Sequence, residues 1–168
     1  GTFQPRKNQL GAVCAANIVL KQIDSRFYLY GYSKFFPDYV AQCKGEAKRF
    51  GIAEKVEFPG FVDSIIDSFA KDKINVFLCT SREESIPQSM REAMAMGIPV
   101  VSTPVGNVPE LIHDGKTGYL AKGFEPNDIA EALLRCMADI RSGAIQDIVE
   151  NAKNYIAREC AELIVAKK

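Results

Sequence analysis

Short β-forming runs alternate with longer helical patterns along the chain, and that alternation restricts the fold more than any other feature. The strand candidates are Phe27–Tyr30, Val56–Phe58, Ile74–Cys79, Pro99–Val101 and Gly118–Leu120. Helical patterns run over about Asn8–Gln22, Asp38–Phe50, Pro87–Met96, Pro126–Arg141 and Ala144–Glu159, with a short one near Ile65–Ala70. Parallel strands need a crossover, and a helix is the usual one, so the fold class is α/β with a doubly wound parallel sheet. A helix beginning near Lys7 needs a strand before it. Only Gly1–Phe3 stand there, so the first strand is expected to be cut short or to lie upstream.

With that strand counted as the first, the run ending at Cys79 is the fourth. In the order 3-2-1-4-5-6, strands one and four are neighbours, and a crevice opens beyond their carboxyl ends. The loops Thr2–Asn8 and Thr80–Ile86 therefore face one candidate site. The 168 residues suit one domain, and 47% hydrophobic with 25% charged residues is ordinary for a globular chain. Lys plus Arg equals Asp plus Glu at 21 each, with no basic stretch interleaved with aromatics, which argues against a nucleic-acid partner. Cys14, Cys43, Cys79, Cys136 and Cys160 form no metal-ligand spacing and read as buried thiols in a reducing compartment. No apolar run approaches the roughly 18 residues that a membrane span needs.

The stretch Thr80–Pro99 joins strand to helix to strand. Ser85 followed by Gln88 fits a capping box, and Pro87 is tolerated in a first turn, so a helix is expected from about Ile86. Its free N–H groups and dipole would favour a phosphate in the crevice. Glu84 lies just before that helix and Glu92 about two turns in, and carboxylates accept hydrogen bonds from hydroxyls. The bland alternative is a dipole-complementing Glu84 and a solvated Glu92. Arg6 and Lys7 follow the first strand, where one or both could reach a diphosphate as counter-charges, the bland alternative being a solvated basic pair. Gly106 and Asn107 are able to take positive φ, which serves either a ligand or a tight structural turn. His113, in a turn with Asp114-Gly115, has no partner for a catalytic triad and reads as a surface residue.

Glu84 and Glu92 with seven residues between them, followed by Ala93-Met94-Ala95-Met96-Gly97-Ile98-Pro99, resemble the E-x7-E signature of group 1 (family 4) glycosyltransferases. Pro5-Arg6-Lys7-Asn8 resembles that family's basic loop, and Val56–Val62 its base-binding loop. Pro109-Glu110-Leu111-Ile112, Asp114-Gly115 and Thr117-Gly118 resemble its later turns. The resemblance implies the C-terminal, donor-binding domain of a GT-B enzyme, one Rossmann-like half over residues 1–168, with the N-terminal acceptor domain outside this chain. The enzyme would transfer a hexosyl group from a nucleotide-diphosphate-sugar to a saccharide or lipid-linked acceptor with retention, and this chain alone would be inactive.

By the same resemblance Glu84 would contact the transferred sugar and Lys7 the diphosphate, as the catalytic pair. Arg6 would assist, and Glu92 would bind the ribose. Gly60, Phe61 and Val62 would hold the base, and Ser85, Ile86 and Gln88 the sugar and β-phosphate. No metal or other cofactor is implied, and the location is cytoplasmic, with any contact to the inner face of a membrane made through the other domain. A non-catalytic nucleotide-binding module is the alternative. Two positions depart from the pattern: Thr2 stands where the family often has arginine, and Pro87 has no N–H to donate.

Overall fold

A computed structural model describes residues 1–165. Strands β1 (Phe27–Tyr30) and β2 (Val56–Gly60) pair in parallel, as do β3 (Phe77–Cys79), β4 (Val100–Ser102) and β5 (Tyr119–Leu120). The helices are α1 (Gln9–Val19), α2 (Pro37–Arg49), α3 (Ile65–Lys71), α4 (Gln88–Met96), α5 (Val108–Leu111), α6 (Pro126–Ser142) and α7 (Ile145–Val165). The α/β class with parallel strands is as expected, and the neighbours within each sheet, β1-β2 and β3-β4-β5, follow the doubly wound order.

The single expected sheet is instead two sheets, β1-β2 and β3-β4-β5. Thr2 makes one parallel bridge with Tyr32, just beyond β1, so it stands at the first-strand position. The bridge is built by Tyr32 N–H donating to Gly1 O at 2.8 Å and Phe3 N–H donating to Tyr32 O at 2.9 Å. Gly31 makes this approach possible, because a Cβ there would lie 2.6 Å from Gly1 O and 2.9 Å from the Phe3 ring. Below the bridge no ladder joins β1 to β3.

Packing divides between the two faces. On one, α1 presents Ala15 and Val19 to Ile129, Leu133 and Cys136 of α6 and to Val101 of the sheet. The small residues Gly11, Ala12, Ala15 and Ala16 make α1 narrow enough to pack against both α6 and α2. On the other face Met90 and Met94 of α4 pack with Phe69, Val100, Leu111, Ala152 and Ile156. The C-terminal helix therefore packs back on this domain, fixed also by Arg91 against Glu159 at 3.3 Å. Residues 166–168 and the Cys160 side chain, both named in the sequence reading, lie outside what is described.

Several boundaries move. The strand expected over Ile74–Cys79 starts only at Phe77, and α5 falls within what read as a loop. Cys43, Cys79 and Cys136 are buried free thiols, whereas Cys14 is half-buried, a correction to the expectation that all are buried. Among the described residues no helix is long and apolar enough to cross a membrane.

Candidate functional site

Two loops meet above the carboxyl ends of the strands. Pro5–Lys7 form a 3-10 turn that ends at Asn8, which adopts the left-handed conformation (φ 54°, ψ 38°) and opens α1. Asn tolerates this region because its short polar side chain bonds locally. Asn8 is buried, and its Nδ2 donates to Phe124 O at 3.4 Å. The facing loop after β3 is tied down by the first: Arg82 N–H donates to Arg6 O at 2.7 Å, and Thr80 Oγ1 donates to Lys7 O at 3.0 Å and to Asn8 O at 3.1 Å.

The ammonium of Lys7 bonds the carboxylate of Glu84, closing a contact across 77 residues of chain. Each side chain keeps only about a fifth of its exposure, 20% and 19%. Burial lowers the Lys7 pKa below lysine's ordinary value and Arg6 adds to the lowering, while Cys79 opposes it. Lys7 and Glu84 line a cavity of about 1100 Å³ together with Thr80, Ser81, Phe61 and Val62. Gly60 closes β2 at φ 89°, and Phe61 beyond it is 66% exposed and packs edge-on against Tyr32 with ring centroids 6.2 Å apart.

The remaining expected residues stand farther from the cavity. Arg6 is exposed and reaches the facing loop through its carbonyl. Ser85 and Gln88 are exposed, and Ile86 and Glu92 are half-buried; none of these four lines the cavity, nor does Gly60. Helix α4 starts at Gln88 rather than Ile86, with Pro87 at the N-cap and no side-chain cap, so the Ser85–Gln88 capping box is not made. Glu92 is accordingly about one turn into the helix and not two, roughly 6 Å along the axis from its first residue.

Sequence reasoning missed the buttress behind Glu84. Gly106 (φ 51°) lies so close to the loop that a Cβ would fall 1.9 Å from Glu84 O. Its conformation serves loop packing, and Asn107 (φ −90°) does not take the positive φ expected as an option. Thr103 Oγ1 donates to Ser81 O at 2.7 Å and completes this support. His113 is exposed and packs edge-on against Tyr155. The assembled groups are one desolvated cation, one carboxylate and an uncapped helix N-terminus beside a cleft, an arrangement able to receive a polar, anionic ligand.

Comparison with known proteins gives a family and a fold. The family model described as "Glycosyl transferases group 1" matches residues 1–139. The chain is 28% identical over 137 residues to the N-acetyl-alpha-D-glucosaminyl L-malate synthase of Bacillus anthracis, covering 82% of this chain and 34% of that protein. It spans between about a fifth and a third of the length of the curated relatives it matches. A glycosyltransferase from Rickettsia africae superposes with a TM-score of 0.87 at 20% identity, over 94% of this chain and 41% of that one. Anabaena Alr3699/HepE, solved in complex with UDP-glucose, superposes with a TM-score of 0.80 at 25% identity, over 99% and 47%.

Proposed function

The chain belongs to the group 1 glycosyl transferases, and from that membership we propose that it is the donor-binding half of a GT-B enzyme that transfers a sugar from a nucleotide diphosphate to an acceptor. The observation that carries the reading is the Lys7–Glu84 pair, which sets a half-buried cation and a carboxylate side by side between the two loops that face the crevice. A second Rossmann-like half, elsewhere in the same polypeptide, supplies the acceptor wall. Alone, this chain binds donor and turns over nothing, and it works in the cytoplasm.

Lys7 meets the diphosphate, with Arg6 swinging in from the surface. Glu84, released from Lys7 by the arriving anion, accepts hydrogen bonds from hydroxyls of the transferred sugar. The amides around Ser85, Ile86 and Gln88 face the sugar and β-phosphate, and Glu92 takes the ribose hydroxyls. Backbone at Gly60–Val62 reads the base, which rests against Phe61. In the transfer the anomeric C–O bond breaks with both electrons leaving on the diphosphate. An acceptor hydroxyl forms the new bond on the same face and gives up its proton to the departing diphosphate oxygen, which carries the electron pair of the broken bond. Lys7 and the helix amides stabilise the charge growing on the leaving oxygen, which is where fixed donors lower a barrier most. The reading gives that task to protein groups and assigns none to a metal or other cofactor. Since HepE is described with UDP-glucose, a uridine donor is the first to try.

Calorimetric titration of UDP, GDP and ADP, then of their sugar conjugates, tests this. One nucleotide should bind selectively, and Lys7→Ala and Glu92→Ala should each weaken it by roughly 1.5–3 kcal/mol, about ten- to a hundredfold. If neither substitution changes the affinity, the chain is a non-catalytic nucleotide-binding module.

A further inference from the structure

The three carbonyls at the end of the basic loop are held in different ways. Arg6 O accepts backbone N–H groups, from Arg82 at 2.7 Å and Glu83 at 3.4 Å, so no side chain is needed to hold it. Asn8 O accepts Ala12 N–H at 3.1 Å, the first rung of α1. Lys7 O lies between them and belongs to neither set. Asn8 caps α1, and the carbonyl before a cap stands outside the helical ladder. Among the described residues the only donor to Lys7 O is the hydroxyl of Thr80, at 3.0 Å, and that hydroxyl also lies 3.1 Å from Asn8 O. A hydroxyl has one proton to give, so the two carbonyls share it.

Thr80 serves as an anchor because its own place is fixed from the sheet. It follows β3 directly and is 6% exposed. On either side of it, Cys79 O accepts Thr103 N–H at 3.0 Å and Ser81 O accepts from Thr103 Oγ1 at 2.7 Å, both from the residue that follows β4. A β-branched side chain is stiff at χ1, so this fixed backbone also fixes the direction of Oγ1. The backbone of Lys7 is thereby tied to the sheet through one side chain. Lysine carries its charge on a flexible four-carbon stem, and a fixed root narrows the space that the ammonium samples.

We propose that Thr80 is a positioning residue for Lys7: its hydroxyl, through Lys7 O, holds the ammonium where the two loops meet and the diphosphate is received. This role rests on the donor reading, which makes Lys7 the counter-charge of the diphosphate. A charge stabilises a leaving group most when it is already aimed at the oxygen on which charge grows, and the Thr80 bond supplies part of that aim. Thr80 also lines the cavity, so a direct bond from its hydroxyl to the ligand is the rival role. The two roles separate in a double-mutant cycle, because a residue that acts through Lys7 loses its effect once the ammonium is gone.

Whichever of UDP, GDP and ADP binds the unaltered chain best is titrated by calorimetry into Thr80→Val, Thr80→Ser, Lys7→Ala and the double variant of Thr80→Val with Lys7→Ala. Thr80→Val keeps the shape, removes the hydroxyl and should weaken binding about tenfold, whereas Thr80→Ser restores the donor and should stay within about threefold of the unaltered chain. In the Lys7→Ala background Thr80→Val should add less than about twofold. Thr117→Val is the matched control for lost stability: Thr117 is also 6% exposed, its hydroxyl donates to Leu111 O at 3.0 Å, and it lies outside the cavity. It should lower Tm and leave affinity unchanged. Thr80→Ala is read in the same way if Thr80→Val does not fold. A tenfold loss that persists in full without Lys7 overturns the proposal, because Thr80 then bonds the ligand itself. An equal loss in Thr117→Val overturns it as a general effect of stability. Unaltered affinity in Thr80→Val, with Lys7→Ala still weakened, removes the positioning role and leaves the donor reading standing. Unaltered affinity in Lys7→Ala removes that reading's counter-charge and this role with it.

Discussion

Lys7 carries two pH dependences of opposite sign. Burial holds its folded-state pKa below the unfolded value, so over the window between the two the unfolded chain binds more protons, and this group's contribution to stability rises with pH. Under the proposed function diphosphate affinity should run the other way, because the ammonium assigned to neutralise the ligand is lost as pH rises through the lowered value. Titrating the preferred nucleotide at rising pH should show affinity falling before an ordinary lysine deprotonates, and Lys7→Arg should hold its affinity across that range. An identical alkaline decline in Lys7→Arg would place the titrating group elsewhere. At this scale Lys7 and Glu84 were legible because both sit in loops between a strand and a helix, at the switch point that element order dictates. Ser85 misled, since the S-x-x-Q pattern is local, whereas the loop it occupies is held by Arg6 and pressed by Gly106. Thr80 was invisible as a clamp because its acceptor on Asn8 lies 72 residues away.

Elements this short depend on side chains to hold their ends. Strand β5 has two residues, and Asp114 secures it by accepting Leu120 N–H at 2.8 Å and the Arg135 guanidinium at 3.1 Å through each oxygen. Arg135 also donates to Leu120 O at 2.9 Å, so one ion pair ties turn, strand and α6 together. Burial alone would raise the Asp114 pKa, but the Arg135 fork and the Leu120 N–H outweigh it and hold the carboxyl below its ordinary value. With its folded pKa depressed, the carboxylate contributes stability above the unfolded value, and that contribution disappears as pH falls through the lowered one. Both side chains keep over two-fifths of their exposure, so screening limits the charge pair, and Asp114→Ala should cost about 1 kcal/mol at pH 7. Urea melts should show that gap closing in acid. An undiminished gap there would mean that packing around the turn, not charge, does the stabilising. Sequence placed the strand over Gly118–Leu120 from its short β-forming run, but a carboxylate 21 residues from its arginine belongs to no local pattern.

At the scale of the whole molecule, the proposed donor binding should be linked to folding through the meeting of two loops that belong to different sheets. Lys7 follows Thr2, which is bridged to Tyr32 beyond β1, whereas Glu84 follows β3, and no ladder joins those sheets. A ligand held by both loops exists only when both halves are folded, so it binds the native state and not the unfolded chain. At a hundred times its dissociation constant it should add about 2.7 kcal/mol of stability. For a domain of this size each kcal/mol moves the midpoint by roughly 2–4 °C, so the preferred nucleotide should raise Tm by about 5–10 °C. Because the proposed counter-charges are Lys7, Arg6 and helix amides, the shift should be the same with and without EDTA. Lys7→Ala should shrink it at the same nucleotide concentration, since occupancy falls with affinity. Loss of the shift in EDTA would hand the diphosphate to a bound divalent cation. An undiminished shift in Lys7→Ala would move the anion site away from the loop after Thr2 and toward the amides at the start of α4.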